Sequence, residues 1–243
     1  MAQLRLPFSS YLDTITEEVD RVVAVAEEHL EAEVPSCPAW RVSDLVEHLA
    51  DVYDFWIAQI VAGKPAARTA RPAAAGSGLS RLDASAERLV RALDAAGSDA
   101  PCWNWTGAEL DTGWVARRVA LENAVHRYDV ELAVGGGTPI EAELAAEGIE
   151  ERLSAYLAAR MVPDEAISLG GTLCLVASDL PTAYVVELAR GRVRWRQGRA
   201  PAETAVVGTA SQLFLFTWNR VRASQLALTG RRDVAEAWRT LPV

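Results

Sequence analysis

The 243-residue chain predicts an α-helical N-terminal four-helix bundle followed by a small α+β domain. Three observations carry that expectation. Four long stretches before residue 135 repeat their apolar residues at helical spacing. A Gly135-Gly136-Gly137-Thr138-Pro139 break follows them, and glycine and proline together interrupt regular structure. Beyond it, short runs of strand-favouring residues alternate with short helical ones. The boundary divides the chain into residues 1–137 and 138–243.

Residues 12–33 place Leu12, Ile15, Val19, Val22, Val23, Ala26 and Leu30 at helical spacing, with acidic residues opposite. Val34-Pro35-Ser36-Cys37-Pro38 ends that helix, because proline lacks a donor and restricts the residue before it. The second helix is expected from Val42 to Ala62, with Ser43 as its N-cap. Its apolar stripe is Val42, Leu45, Leu49, Val52, Trp56 and Ile60, and His48 lies at the edge. Gly63-Lys64-Pro65 stops it. Residues 66–80 are an Ala/Pro/Gly-rich connection without periodicity, read as a surface loop or as a lid. The third helix, 79–96, buries Leu82, Leu89, Val90 and Leu93. Residues 101–114 form a loop with Trp103, Trp105 and Trp114. Such a loop either covers one end of the bundle or walls a ligand pocket.

Residues 114–135 form the helix on which the first half is organised. Glu122 and His126 stand one turn apart on one face, together with Val115, Val119 and Ala133. A carboxylate and an imidazole are thus aimed at the interior, where a charge is costly unless paired or bound to a metal. In the second half, 141–160 is amphipathic, and 172–177, 183–188, 205–207 and 226–228 read as strands. Arg190-Gly191 turns into a further strand, 192–197. Residues 209–220 and 233–240 read as helices.

Composition narrows the function classes. Half of the residues are hydrophobic, and the net charge is -9, with a pI near 5.0. That balance disfavours nucleic acid or an anionic membrane as partner. No apolar run reaches the length of a membrane span, and residues 1–15 lack a signal peptide's apolar segment. A cytoplasmic monomer is expected. Cys37, Cys102 and Cys174 are far apart with no CxxC pair, which reads as small buried residues rather than a disulfide framework.

The three histidines are His29, His48 and His126. His29 sits among Glu27, Glu28 and Glu31 and reads as a solvated residue. His48, Glu122 and His126 project from two helices of one bundle, the way metal sites are built in such folds. Two nitrogens and one oxygen match the ligand count of catalytic zinc, with a position left open. The same set suits non-haem iron. The alternative pairs Glu122 with Arg118 or Arg127 and bonds His48 to a carbonyl. Asp129 either orients His126 or pairs with an arginine.

The segments VPSCPAWRVSDLVEHLADVYDFW (34–56) and ALENAVHRYDVELAVG (120–135) resemble the two signatures of the mycothiol-dependent maleylpyruvate isomerase family. That family joins a DinB-like metal-binding bundle to a domain related to sterol-carrier folds, which residues 206–220 and 226–243 resemble. The resemblance implies metal ligands at His48, Glu122 and His126. It also implies an arginine in the C-terminal domain assisting the reaction, for which Arg220 or Arg222 stands in this sequence. It implies zinc or another divalent metal, mycothiol as thiol cosubstrate, and a small electrophile or unsaturated acid as substrate. The reaction is then thiol S-transfer or cis–trans isomerisation. Two further readings stand beside it. One is a zinc hydrolase with Asp51 or Asp44 as base; the other is a non-catalytic carrier of a small apolar ligand.

Overall fold

The computed structural model describes residues 6–63, 78–106, 110–157, 170–189 and 192–241. The chain divides into two compact units, Met1–Thr138 and Pro139–Val243.

The first unit holds α1 (Phe8–Ala26), α2 (Val42–Ala62), α3 (Leu79–Ala96) and α4 (Thr112–Ala133). Helix α1 packs on α3 and α4, and α2 packs on those same two helices. The four therefore close a ring around a core of Tyr11, Ile15, Leu45, Leu49, Tyr53, Leu89 and Val119. Trp56 of α2 meets Trp114 at the start of α4, whereas His48, earlier on α2, meets Glu122, later on α4. The two helices thus run antiparallel. Most of α4 is buried on every side, including Arg118, Asn123, Arg127 and Asp129. It is the central helix, and polar residues along it are forced inside.

Local differences from expectation have physical causes. Helix α1 ends at Ala26 instead of continuing to residue 33. The Glu-rich segment after it makes i to i+3 turns, His29 N–H to Ala26 O and Ala32 N–H to His29 O. The chain then folds back in an isolated antiparallel bridge between Glu33 and Arg41. The N-cap of α2 is Arg41, not Ser43: the Asp44 carboxylate accepts the Arg41 backbone N–H at 2.8 Å. Ser43 lies inside the helix, its N–H donated to Leu30 O. Val52, Ile60 and Val90 are half-buried, while Tyr53, Gln59, Ser85 and Arg81 take buried positions. The buried Arg81 bonds Glu47, Asp51 and Asp54 and clamps α3 to α2.

Two-residue strands β1 (Pro101–Cys102) and β2 (Leu110–Asp111) pair antiparallel and lead into α4, too short to leave an alternating pattern. Asp111 caps α4, its carboxylate accepting the Trp114 N–H at 2.8 Å. The tryptophan loop covers that end of the bundle: the rings of Trp56, Trp105 and Trp114 meet tilted or edge to face at 5.4–5.9 Å. Trp56 and Trp114 are buried. Residues 107–109 of that loop, residues 66–77 of the α2–α3 connection and the Arg190-Gly191 turn fall outside the described residues.

The second unit starts with α5 (Ala142–Glu151), which runs into one π-helical turn, Arg152–Tyr156. Residues 158–160 of the expected helix lie outside the described set. Strands β3 (Gly171–Ala177), β4 (Ala183–Ala189), β5 (Arg192–Gln197), β6 (Thr204–Gly208) and β7 (Ala227–Gly230) form one sheet in the order β5-β4-β3-β6-β7. Only the β3–β6 pair is parallel. The described residues of this unit also hold helices α6 (Ala210–Thr217) and α7 (Arg232–Ala237). Thr209 and Gln212 cap α6 reciprocally. Gly148 lets α5 approach α6, since a Cβ there would lie 2.4 Å from the Phe214 ring.

Candidate metal centre

His48 reaches the site from the second turn of α2, and Glu122 and His126 from successive turns of α4. The register of the bundle brings them together. His48 Nε2 lies 3.4 Å from Glu122 Oε1, and the two imidazole rings meet edge to face at 5.2 Å. One ligand atom from each residue falls within 4.8 Å of the other two. Tetrahedral zinc with bonds of about 2.0–2.2 Å separates its ligand atoms by roughly 3.3–3.6 Å. The His48–Glu122 separation falls in that range, and the donor set is the borderline nitrogen and oxygen mixture that divalent zinc takes. The residues fit such an ion.

Glu122 is ionised. Burial alone would raise its pKa, but the hydrogen bond with His48 and the charge of Arg118 outweigh burial, and the two histidines add to them, holding the carboxyl at about 2. Arg118 Nε approaches Glu122 Oε2 at 3.6 Å, so the pairing with Arg118 exists alongside the histidine contacts. The neighbouring Tyr53 phenol is pushed far up by burial and by the Glu122 charge. It donates to Asn123 Oδ1 at 2.8 Å, and Asn123 donates in turn to Ile15 O at 3.2 Å. This chain ties α2, α4 and α1 together directly behind the site.

Asp129 contacts His126: its Oδ2 is 3.1 Å from Nδ1, which leaves Nε2 as the nitrogen available to a ligand. Trp40, which sequence reasoning missed, lies over both imidazoles, its ring centroid 4.9 Å from that of His48 and 6.5 Å from that of His126. Its position directly before the α2 cap was the available signal.

The remaining candidates stand elsewhere. His29 is exposed. Asp44 is occupied at the α2 cap and Asp51 accepts from Arg81 at 2.5 Å, so the bases expected for a hydrolase are engaged in structure. Arg220 and Arg222 belong to the second unit. Arg220 Nη1 donates to Trp218 O at 2.8 Å, and Arg222 is exposed. None of the three cysteines is in a disulfide. Burial, with Asp111 nearby, pushes the Cys102 thiol up to about 11, which removes it as a nucleophile at neutral pH.

Residues 12–131 match the model of the mycothiol maleylpyruvate isomerase N-terminal domain. The chain carries a domain of this family. A solved mycothiol-dependent maleylpyruvate isomerase superposes with a TM-score of 0.65 at 14% identity, covering 92% of this chain and 93% of that one. A mutant of that isomerase superposes with a TM-score of 0.61 at 13% identity, with the same coverage. At these identities the likeness is one of fold, and it extends through both units. Comparison with curated proteins gives no sequence match. Among the described residues no helix is long and apolar enough to cross a membrane.

Proposed function

We propose that this chain is a metal-dependent enzyme that uses a low-molecular-weight thiol, mycothiol first among the candidates. It acts on a small electrophile or unsaturated acid as an S-transferase or a cis–trans isomerase. The observation that carries the reading is the convergence of His48, Glu122 and His126 inside a domain of this family. Zinc is the preferred ion because the set contains two imidazoles and one carboxylate. A divalent metal held there supplies a local positive charge that favours the thiolate form of a thiol at neutral pH.

The chain's own residues have separate tasks in this reading. Glu122 brings the one negative charge, already ionised across the physiological range. Arg118 steadies its second oxygen. Trp40 covers the imidazoles and limits water on that side. Arg220 is offered to a substrate carboxylate, which a guanidinium matches in bidentate fashion. Three cysteines with no disulfide among them fit a reducing, cytoplasmic compartment.

Metal analysis of the purified chain and of His126→Ala tests the proposal first. Wild type should hold about one zinc per chain, as a three-ligand site predicts, and the variant should lose it. Turnover of a maleyl-type acid or an electrophile should then require both metal and mycothiol. Metal-dependent turnover without any thiol would replace this reading with a hydrolase. A wild type that cannot be loaded with any divalent metal would remove the site altogether.

A further inference from the structure

The turn between α1 and α2 reaches across to α4 at a point that local sequence does not announce. Ser36 Oγ donates to Asp129 Oδ1 at 2.6 Å, the length of a charge-assisted bond between hydroxyl and carboxylate. The other oxygen of Asp129, Oδ2, meets His126 Nδ1 at 3.1 Å. Asp129 is fully buried. The turn that carries Ser36 is itself closed by Cys37 N–H to Val34 O at 3.0 Å, Trp40 N–H to Cys37 O at 2.8 Å and Val34 N–H to Trp40 O at 2.9 Å. Its last residue, Trp40, lies over the rings of His48 and His126.

We propose that residues 34–40 are a positioning clip for the candidate metal centre, acting through Ser36 and Asp129 on His126. With Oδ1 accepting from Ser36 and Oδ2 facing Nδ1, Asp129 selects the imidazole tautomer with its proton on Nδ1. Nε2 is then the lone-pair nitrogen, the form a metal ligand needs. Ser36 keeps the carboxylate turned toward the ring, and Trp40 restricts how the ring planes can tilt. Ser36 and Asp129 are positioning residues that act through His126 and touch no reactant. This inference rests on the metal reading given above, but its first test needs no metal.

The test begins with the imidazole nitrogens of the metal-free protein, read by long-range proton–nitrogen NMR at about pH 8, above the ordinary histidine range. Three histidines make the spectrum assignable with a His126→Gln reference. Wild-type His126 should show a protonated Nδ1 and a lone-pair Nε2. In Asp129→Asn the side-chain amide can donate instead, so the tautomers should mix or invert. Zinc affinity should fall about 10- to 100-fold in Asp129→Asn. In Ser36→Ala it should fall about two- to tenfold, the equivalent of one hydrogen bond. If Asp129→Asn does not fold, Ser36→Ala alone decides, because it removes one hydroxyl from a half-buried turn.

A wild-type His126 protonated on Nε2 in the metal-free protein would overturn the clip. So would unchanged zinc affinity in both folded variants while His126→Ala abolishes binding. Should wild type bind no metal at all, the functional proposal fails separately, and the tautomer measurement still decides whether Asp129 sets the ring.

Discussion

Helix α4 buries two polar clusters one turn apart, and they meet the cost of burial in opposite ways. Around Arg127 the charges close among themselves. Its Nε donates to Glu18 at 2.7 Å and Nη1 to Glu131 at 2.8 Å, while Glu131 also accepts the Thr138 N–H and the Arg21 guanidinium. Burial opposes both charges there, but the mutual bonds outweigh it, so Arg127 is held further up and Glu131 further down than their ordinary values. Around Glu122 the arrangement differs. Two imidazoles and a carboxylate bring one ligand atom each within 4.8 Å of the others, and part of each side chain stays accessible. The first cluster joins α1 to α4 and is complete without a guest. The second gathers electron-pair donors, an arrangement that also suits a cation.

Substitutions should separate the two clusters. The largest effect on stability is expected from Arg127→Ala, which takes the buried guanidinium from Glu18 and Glu131 and leaves them only the half-exposed Arg21. Loss of about 3–5 kcal/mol in denaturant unfolding is the expected scale for breaking a buried pair from one side. A loss near that of a surface pair would mean that the network is not closed as described. Glu122→Gln should show the reverse profile: metal binding largely lost, with the metal-free protein still folding cooperatively. Equal damage to folding would place the two clusters in one class.

A pH series sharpens the same contrast. The folded Glu122 carboxyl titrates near 2, below the ordinary value of about 4.3 for an unfolded chain. Its contribution to stability is therefore present above about pH 4.3 and lost as pH falls toward 2. In metal-free protein, the stability difference between wild type and Glu122→Gln should shrink across that window. A difference independent of pH from 2 to 6 would contradict the charge assigned to Glu122. The smallest effect is expected from Glu87→Ala. Its pair with Arg91 lies on the exposed surface of α3, and unfolding should move by less than about 0.5 kcal/mol.

The two units also differ in how openly the chain announced them. Helices α2 and α3 span the residues that their apolar periods indicate, although the cap of α2 is Arg41 rather than Ser43, because helical spacing is a local property. The strands of the second unit were visible for the same reason, since Val, Ile, Tyr and Trp favour pleated backbone wherever they cluster. The end of α1 was not visible. Leu30 continues the helical stripe, but its carbonyl is taken by Ser43, a contact that exists only once α2 is in place. The parallel pairing of β3 with β6 was equally hidden, because the intervening hairpin separates the partners in sequence.

Within the site, the three donor residues were legible because an acidic side chain and a histidine on an apolar helix face conflict with burial and call for a partner. By itself, the chain determined which side chains could donate and which faces of α2 and α4 carry them. Only the tertiary structure decided that His48 stands within 3.4 Å of Glu122, that Trp40 lies over both rings, and that Ser36 reaches Asp129 across 93 positions of sequence. The physical reason is range. Periodicity and capping act within a turn or two of the chain, whereas these contacts depend on the register between packed helices, which is set by all of the side chains between them.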